Sequence, residues 1–319
     1  MRKNLRDDLK GQTIGVEVEM NNITRKDAAM VVAKFFGTDQ YRYVGGAYDE
    51  WIAYDMTGRK WSMKYDSSIE GDSEHKCELV TPILYYNDIE TLQGVVRELR
   101  KAGAKSSPSR GCGVHVHIGA NGHTAKTLRN LANIMAGHET LIADAVGIGN
   151  DRLYRWCRVV DPRFISAVNS KKPKTMEELA DVWYQSQGCD SGRMAHYNNS
   201  RYHMLNLHAT FTKGTIEFRA FQFDNWVDGK GGGIHAGKLK AYIQFCLALS
   251  NYAKSVRYAR PEEPVARYEN PKYVMRLWLK QMGLVGEEYK TCRLHMSAKL
   301  EGVGRGRYAY TANGSELVA

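Results

Sequence analysis

Three short runs, far apart in the chain, alternate apolar and ionisable residues with a period of two, and nothing else in the sequence restricts the fold as much. In TIGVEVEM (13–20) the alternating residues are Glu17 and Glu19; in GVHVHI (113–118) they are His115 and His117; in TIEFRAFQ (215–222) they are Glu217 and Arg219. A strand sends successive side chains to opposite faces, so each pair shares one face while Val16, Val18, Val114, Val116, Ile216 and Phe218 share the other. Three strands that bury one face and carry carboxylate, imidazole and guanidinium on the other predict a sheet that assembles one site. Two carboxylates about 4 Å apart repel by roughly 4 kcal/mol at an effective dielectric near 20, so such a site needs cations or protons, and cations are the better fit. Oxygen-rich ligation with an imidazole suits Mg²⁺ or Mn²⁺.

The remaining elements follow from periodicity and punctuation. Residues 25–36 (RKDAAMVVAKFF) have helical spacing, and 41–63 suggest a pair of short strands around turn residues. Cys77 to Leu84 (CELVTPIL) reads as a strand ended by Pro82, with Glu78 its only charge; Asp66 lies shortly before it. Residues 87–103 form a helix with acids early, bases late and a closing Gly103. One helix is expected over 124–146, a less regular stretch over 151–200 with a helix near 176–184, and a hairpin over 202–223 turning near Lys213 and Gly214. Helices are expected again over 234–256 and 271–283. Gly229–Gly233 departs from GxxxxGK[ST] and reads as a flexible loop, a candidate lid. Arg305 and Arg307 stand among glycines in a terminal stretch without apolar periodicity, which reads as a frayed end.

Composition narrows the class. The first residues, MRKNLRDDLKGQ, lack an apolar leader, and no run reaches the ~20 apolar residues of a membrane span, so a soluble, cytoplasmic protein without a membrane partner is expected. Six dispersed cysteines form no CxxC pair, which points to free thiols. The net charge of +10 is spread along the chain, so nucleotide phosphates explain it at least as well as nucleic acid does.

Taken in order, GVEVEM, DSSI with CELVTPIL, GCGVHVHIGA, and RYHMLNL with TIEFRAFQ resemble the putative amidoligase family of the glutamine synthetase and glutamate–cysteine ligase superfamily, over about residues 13–224. The resemblance implies an α+β fold: a curved, mainly antiparallel sheet of the glutamine synthetase catalytic-domain type, with helices on its convex face. It also implies one catalytic domain over 1–319, with a mostly helical insertion at about 124–200 and a helical C-terminal part at about 234–300. The implied cofactors are ATP and two or three Mg²⁺ or Mn²⁺ ions. Glu17, Glu19, Asp66, Glu78, His115 and Glu217 match metal ligands. His117, Arg201, Asn206 and Arg219 match nucleotide-phosphate contacts, with Arg219, Arg201 and His117 in catalysis. The implied reaction is amide-bond formation between a small-molecule or peptide carboxylate and an amine, through an acyl phosphate.

Two other classes fit parts of the sequence. One is a metal-dependent hydrolase in which His115 and His117 activate water. The other is a basic nucleic-acid-binding protein with a degenerate site. The substrates, the base for the amine and the oligomeric state are not legible.

Overall fold

The computed structural model describes residues 5–225, 233–264, 269–303, 308–310 and 316–318. The chain begins with helix α1 (Leu5–Lys10) and strand β1 (Ile14–Met20), followed by α2 (Arg25–Phe36). Thr24 caps α2 by accepting the Asp27 amide, and Gly37 ends it in the left-handed region at φ 67°. Three strands come next, β2 (Tyr41–Gly45), β3 (Glu50–Tyr54) and β4 (Lys60–Lys64), where the sequence suggests two. Gly45, Gly46 and Asp49 all have positive φ, and this tight turn lets a third strand fit in the same length. Strand β5 (Cys77–Val80) stops before Thr81, whose hydroxyl accepts the Val16 amide.

Helix α3 (Ile89–Lys101) buries Ile89, Leu92, Val95, Val96 and Leu99 along one stripe, as its periodicity predicts. Strand β6 (Val114–Gly119) leads to two helices, α4 (Ala125–Ala136) and α5 (Glu139–Val146), in place of the single one expected. The break falls at Gly137 and His138, where a Cβ at Gly137 would lie 3.0 Å from the Glu262 carbonyl, so glycine eases the close approach of that segment. The stretch that looked irregular holds α6 (Asn150–Arg155), α7 (Pro162–Lys171) and α8 (Met176–Ser186). The expected hairpin is also more elaborate. Strand β7 is only Leu205–Asn206, and helix α9 (His208–Lys213) precedes β8 (Thr215–Phe221). Helices α10 (Ala236–Ser255), α11 (Pro271–Gln281) and α12 (Lys290–His295) follow, then a small pair, β9 (Tyr308–Tyr310) and β10 (Glu316–Val318). Gly229–Gly232, Arg305 and Arg307, on which the loop and tail expectations fall, lie outside the described residues.

The main sheet has the order β2-β3-β4-β5-β1-β6-β8-β7, and all of its neighbours are antiparallel. Strand β1, first in the chain, is therefore central. Its inward residues Ile14, Val16, Val18 and Met20 join Val114, Val116 and Ile118 in a core shared with α2, α3 and α10. Each fully buried aliphatic side chain of this kind contributes about 1.5–3 kcal/mol. Helix α10 is buried along most of its length, and its polar residues have partners: Gln244 donates to the Tyr86 hydroxyl at 2.8 Å, and Ser250 donates to Gln12 Oε1 at 2.6 Å. Among the described residues no helix is long and apolar enough to cross a membrane.

Strand β8 departs from strict alternation. Val116 pairs with Phe218 but Val114 pairs with Phe221, so Arg219 and Ala220 together face His115 as a bulge. Beyond it Phe221 turns to the helical side and stacks on Tyr242 of α10, ring centres 4.5 Å apart. The bulge keeps Arg219 with Glu217 and still returns the next aromatic ring to the core.

One core acid gives a pH signature. Glu139, 2% exposed, accepts the Val160 amide at 2.8 Å, and burial pushes its carboxyl up to about 8. A raised acid costs stability once it must ionise. That stability is complete below about 4.5, its ordinary value, and is lost as pH rises to about 8. Urea denaturation should show wild-type stability falling by a few kcal/mol between the ends of that window. Glu139→Gln should flatten the profile; equal slopes in both proteins would contradict the assignment.

Candidate active site

The register of the four central strands decides which polar groups meet. Glu17 lies opposite His115, His117 opposite Glu217, and Glu19 opposite Glu78. Ladder neighbours on one face are within side-chain reach. His115 consequently sits among acids: its Nδ1 is 3.0 Å from Glu17 Oε2 and 3.8 Å from Glu217 Oε1, and its Nε2 is 3.8 Å from Glu19 Oε1. Two ligand sets share this imidazole, Glu17–His115–Glu217 and Glu19–Glu78–His115, each with one donor atom per residue within 4.8 Å of the others.

The surrounding residues hold these groups in place. Asn206 on β7 donates to Glu217 Oε2 at 2.6 Å, and Arg219 donates to Glu217 Oε1 at 2.5 Å. The Gly113 amide donates to Glu19 Oε2 at 2.5 Å. His117 Nδ1 is 3.1 Å from the Thr215 hydroxyl, while its Nε2 lies 3.3 Å from Glu17 Oε1, out of hydrogen-bond alignment. His117 thus presents a buried ring nitrogen with no hydrogen-bond partner.

Electrostatics follow from this crowding. Burial opposes ionisation of Glu17, but His117 and His115 outweigh it and hold the carboxyl well below the usual range. Glu217 is drawn down to about 2, because Arg219 and His117 overcome the cost of burial. Burial alone would lower His117; Glu17 and Glu217 raise it. Glu78 goes the other way: burial and the charges of Glu17, Glu19 and Asp66 push it well above its ordinary value. The protein's own cations thus satisfy part of the acid cluster and leave Glu78 short of positive charge.

These groups floor a cavity of about 450 Å³. Asp66 lines it too, but stands outside both ligand sets: its Oδ1 accepts the Ser68 amide at 2.7 Å and the Ser68 hydroxyl at 2.6 Å. Arg201 lines the same space with its guanidinium between the rings of Tyr197 and Tyr202, 5.4 and 5.6 Å from their centres. Asn206 is 2% exposed and occupied with Glu217, so its position suits holding that acid rather than touching a nucleotide directly. The sequence reading missed the opposite wall: Lys64, Tyr48, Arg152, Trp156, His196, Tyr197 and Lys213 also line the cavity. Tyr48 and Tyr197 bring their hydroxyls within 3.2 Å, joining the β2–β3 turn to the segment before β7. No local pattern marks these residues; clustered aromatics interleaved with bases in 152–213 were the available signal.

This is a mixed helix and antiparallel-sheet protein whose central strands floor an acid- and histidine-lined cavity. The chain belongs to the putative amidoligase family: the family described as "Putative amidoligase enzyme" matches residues 10–250, a span that includes every residue named above as a ligand. The class that membership defines is a ligase forming amide bonds. No curated protein matches the chain. Among solved structures, a bifunctional glutathione synthetase from Pasteurella multocida is similar at 15% identity and a TM-score of 0.41, covering 92% of this chain. The chain spans 48% of that protein, about half its length.

The Arg219–Glu217 pair is 5% and 3% exposed, so removing one partner leaves an uncompensated buried charge. Arg219→Met should cost about 3–5 kcal/mol in chemical denaturation. Adding Glu217→Gln should recover much of the loss; additive losses in the double variant would show that the two side chains act independently.

Proposed function

We propose that this protein is an ATP- and divalent-metal-dependent carboxylate–amine ligase, acting as one catalytic domain over the whole chain with a sheet of the glutamine synthetase type. The observation that carries this reading is the pair of carboxylate–imidazole sets sharing His115, each with two buried members and one half-buried. Their chemistry fits hard divalent cations: oxygen donors dominate, one imidazole joins them, and the raised Glu78 carboxyl marks missing positive charge. Glu17, Glu19, Glu78, His115 and Glu217 would hold Mg²⁺ or Mn²⁺, two or three ions in all, with Asp66 at the rim. A bound cation would neutralise phosphate charge and favour phosphoryl transfer.

In this reading a substrate carboxylate takes the γ-phosphoryl group of ATP, releasing ADP. An amine then displaces phosphate from the acyl carbon to form the amide. The residues contribute position and charge. Arg219, fixed by Glu217, presents its guanidinium to the transferring phosphoryl group. His117 offers its unpartnered Nε2, and Arg201 and Lys213 add positive charge along the wall. Asn206 keeps Glu217 oriented. The Tyr48–Tyr197 contact narrows access and limits loss of an activated acyl group to water. Family membership favours this chemistry over hydrolysis by the histidine pair.

Carboxylates and amines screened for ADP release with Mg²⁺ or Mn²⁺ should give turnover only when both are present. His115→Ala and Glu17→Ala should lower turnover at least 100-fold and weaken Mn²⁺ binding by calorimetry, with circular dichroism unchanged. Arg219→Lys should also lose activity, since the planar fork is gone although the charge stays. Wild-type turnover in His115→Ala, or product formation without ATP, would refute the proposal.

A further inference from the structure

Among the described residues Arg152 is a buried cation without an anion. It is 8% exposed, lines the cavity beside Trp156, and forms no ion pair with any described carboxylate. Its Nε has no hydrogen-bond partner, and its Nη2 reaches only two carbonyls, of Arg219 at 3.5 Å and Phe221 at 3.4 Å. The other arginines at the site are engaged. Arg219 is paired with Glu217, while Arg201 sits between two tyrosine rings and donates to the His196 carbonyl at 3.0 Å. Proteins rarely bury an unpaired guanidinium, because desolvation goes uncompensated.

The local sequence makes room for this cation. A Cβ on Gly113 would lie 2.0 Å from Arg152 Nη2, so the second glycine of GCGVHVH lets the guanidinium lie against the strand. Glu19, the neighbouring acid, has its Oε2 committed to the Gly113 amide and makes no pair with Arg152. The other cavity cations, Arg201 and Lys213, extend into an adjoining cavity beside Glu217 and Asn206. Positive charge therefore stands on two sides of the acid cluster. Arg152 lies on the side of Gly113 and Glu19, and Arg201 and Lys213 lie on the side of Glu217.

We propose that Arg152 binds a carboxylate of the substrate, its planar fork receiving the oxyanion on the side of the acid cluster away from Arg201 and Lys213. This rests on the ligase reading for the word substrate, and on geometry alone for the anion. Carboxylate and phosphate both match a guanidinium fork, so the test separates them.

The test is ¹⁵N NMR of the arginine Nε–Hε groups in the full chain, with Arg152 assigned by loss of its signal in Arg152→Lys. If that variant fails to fold, Gly113→Ala, which pushes a methyl group into the guanidinium, identifies the same signal by its displacement. Sodium acetate at constant ionic strength is expected to shift the Arg152 signal downfield to saturation, while the adenosine triphosphate analogue adenylyl imidodiphosphate with Mg²⁺ leaves it in place. A signal moved by the analogue and not by acetate would assign Arg152 to phosphate and overturn the proposal. A signal moved by neither would make it a structural brace to the Arg219 and Phe221 carbonyls, which also overturns it. Binding is read without turnover: a shifted signal in a chain that never releases ADP sinks the ligase reading alone, and an unmoved signal in an active chain sinks this one alone.

Discussion

The antiparallel register of β1, β6 and β8 is the constraint on which the site depends. A one-residue slip of any one of these strands would exchange its polar face for the apolar residues behind it, placing two charged or imidazole groups in the helical core. Apolar burial on one face and the carboxylate–imidazole ladder on the other therefore require the same alignment. The acid cluster is unfavourable in isolation, and the sheet enforces it because the alignment that buries Val16, Val18, Val114 and Val116 is the one that gathers the acids and imidazoles on the other face.

Around that ladder the structure adds contacts that leave little freedom. Glu217 is held from both sides, by Asn206 through Oε2 and by Arg219 through Oε1. Glu19 is held by a backbone amide, which only the bare backbone of Gly113 can offer while a guanidinium lies against it. The bulge at Arg219 and Ala220 belongs to the same economy of space. Glu217 and Arg219 share a face by ordinary strand alternation, and the extra residue at Arg219 and Ala220 then returns Phe221 to the core, where unbroken alternation would have turned it to the polar side.

Much of this floor was legible in the sequence because strand periodicity is local. Glu17, Glu19, His115, His117, Glu217 and Arg219 announce a shared face within six- or seven-residue windows, and Glu78 announces itself as the sole charge in an apolar run. Other features depend on contacts between distant segments. The third strand of 41–63 rests on left-handed turn residues, the break in 124–146 falls where 261–262 pass close to Gly137, and the short α9 replaces a connection that a hairpin could equally have made. Asp66 depends on contacts too: its motif position places it at the cavity, and Ser68, two residues on, engages one of its two oxygens.

Floor and wall are built from different kinds of structure, and that division bears on what each can vary. The floor is four paired strands whose side chains are fixed by a ladder and a core. Any change there disturbs both the register and the charge balance. The wall comes from α6, the segment between α8 and β7, and the β2–β3 turn, elements that meet through side chains such as the Tyr48–Tyr197 hydroxyls. Loops and short helices can change length and residue type without moving the strands. Cations and rings on the wall can therefore be exchanged to admit a different partner, while the acids and imidazoles beneath keep one geometry. The same division explains why the family was readable from strand motifs and the substrate was not.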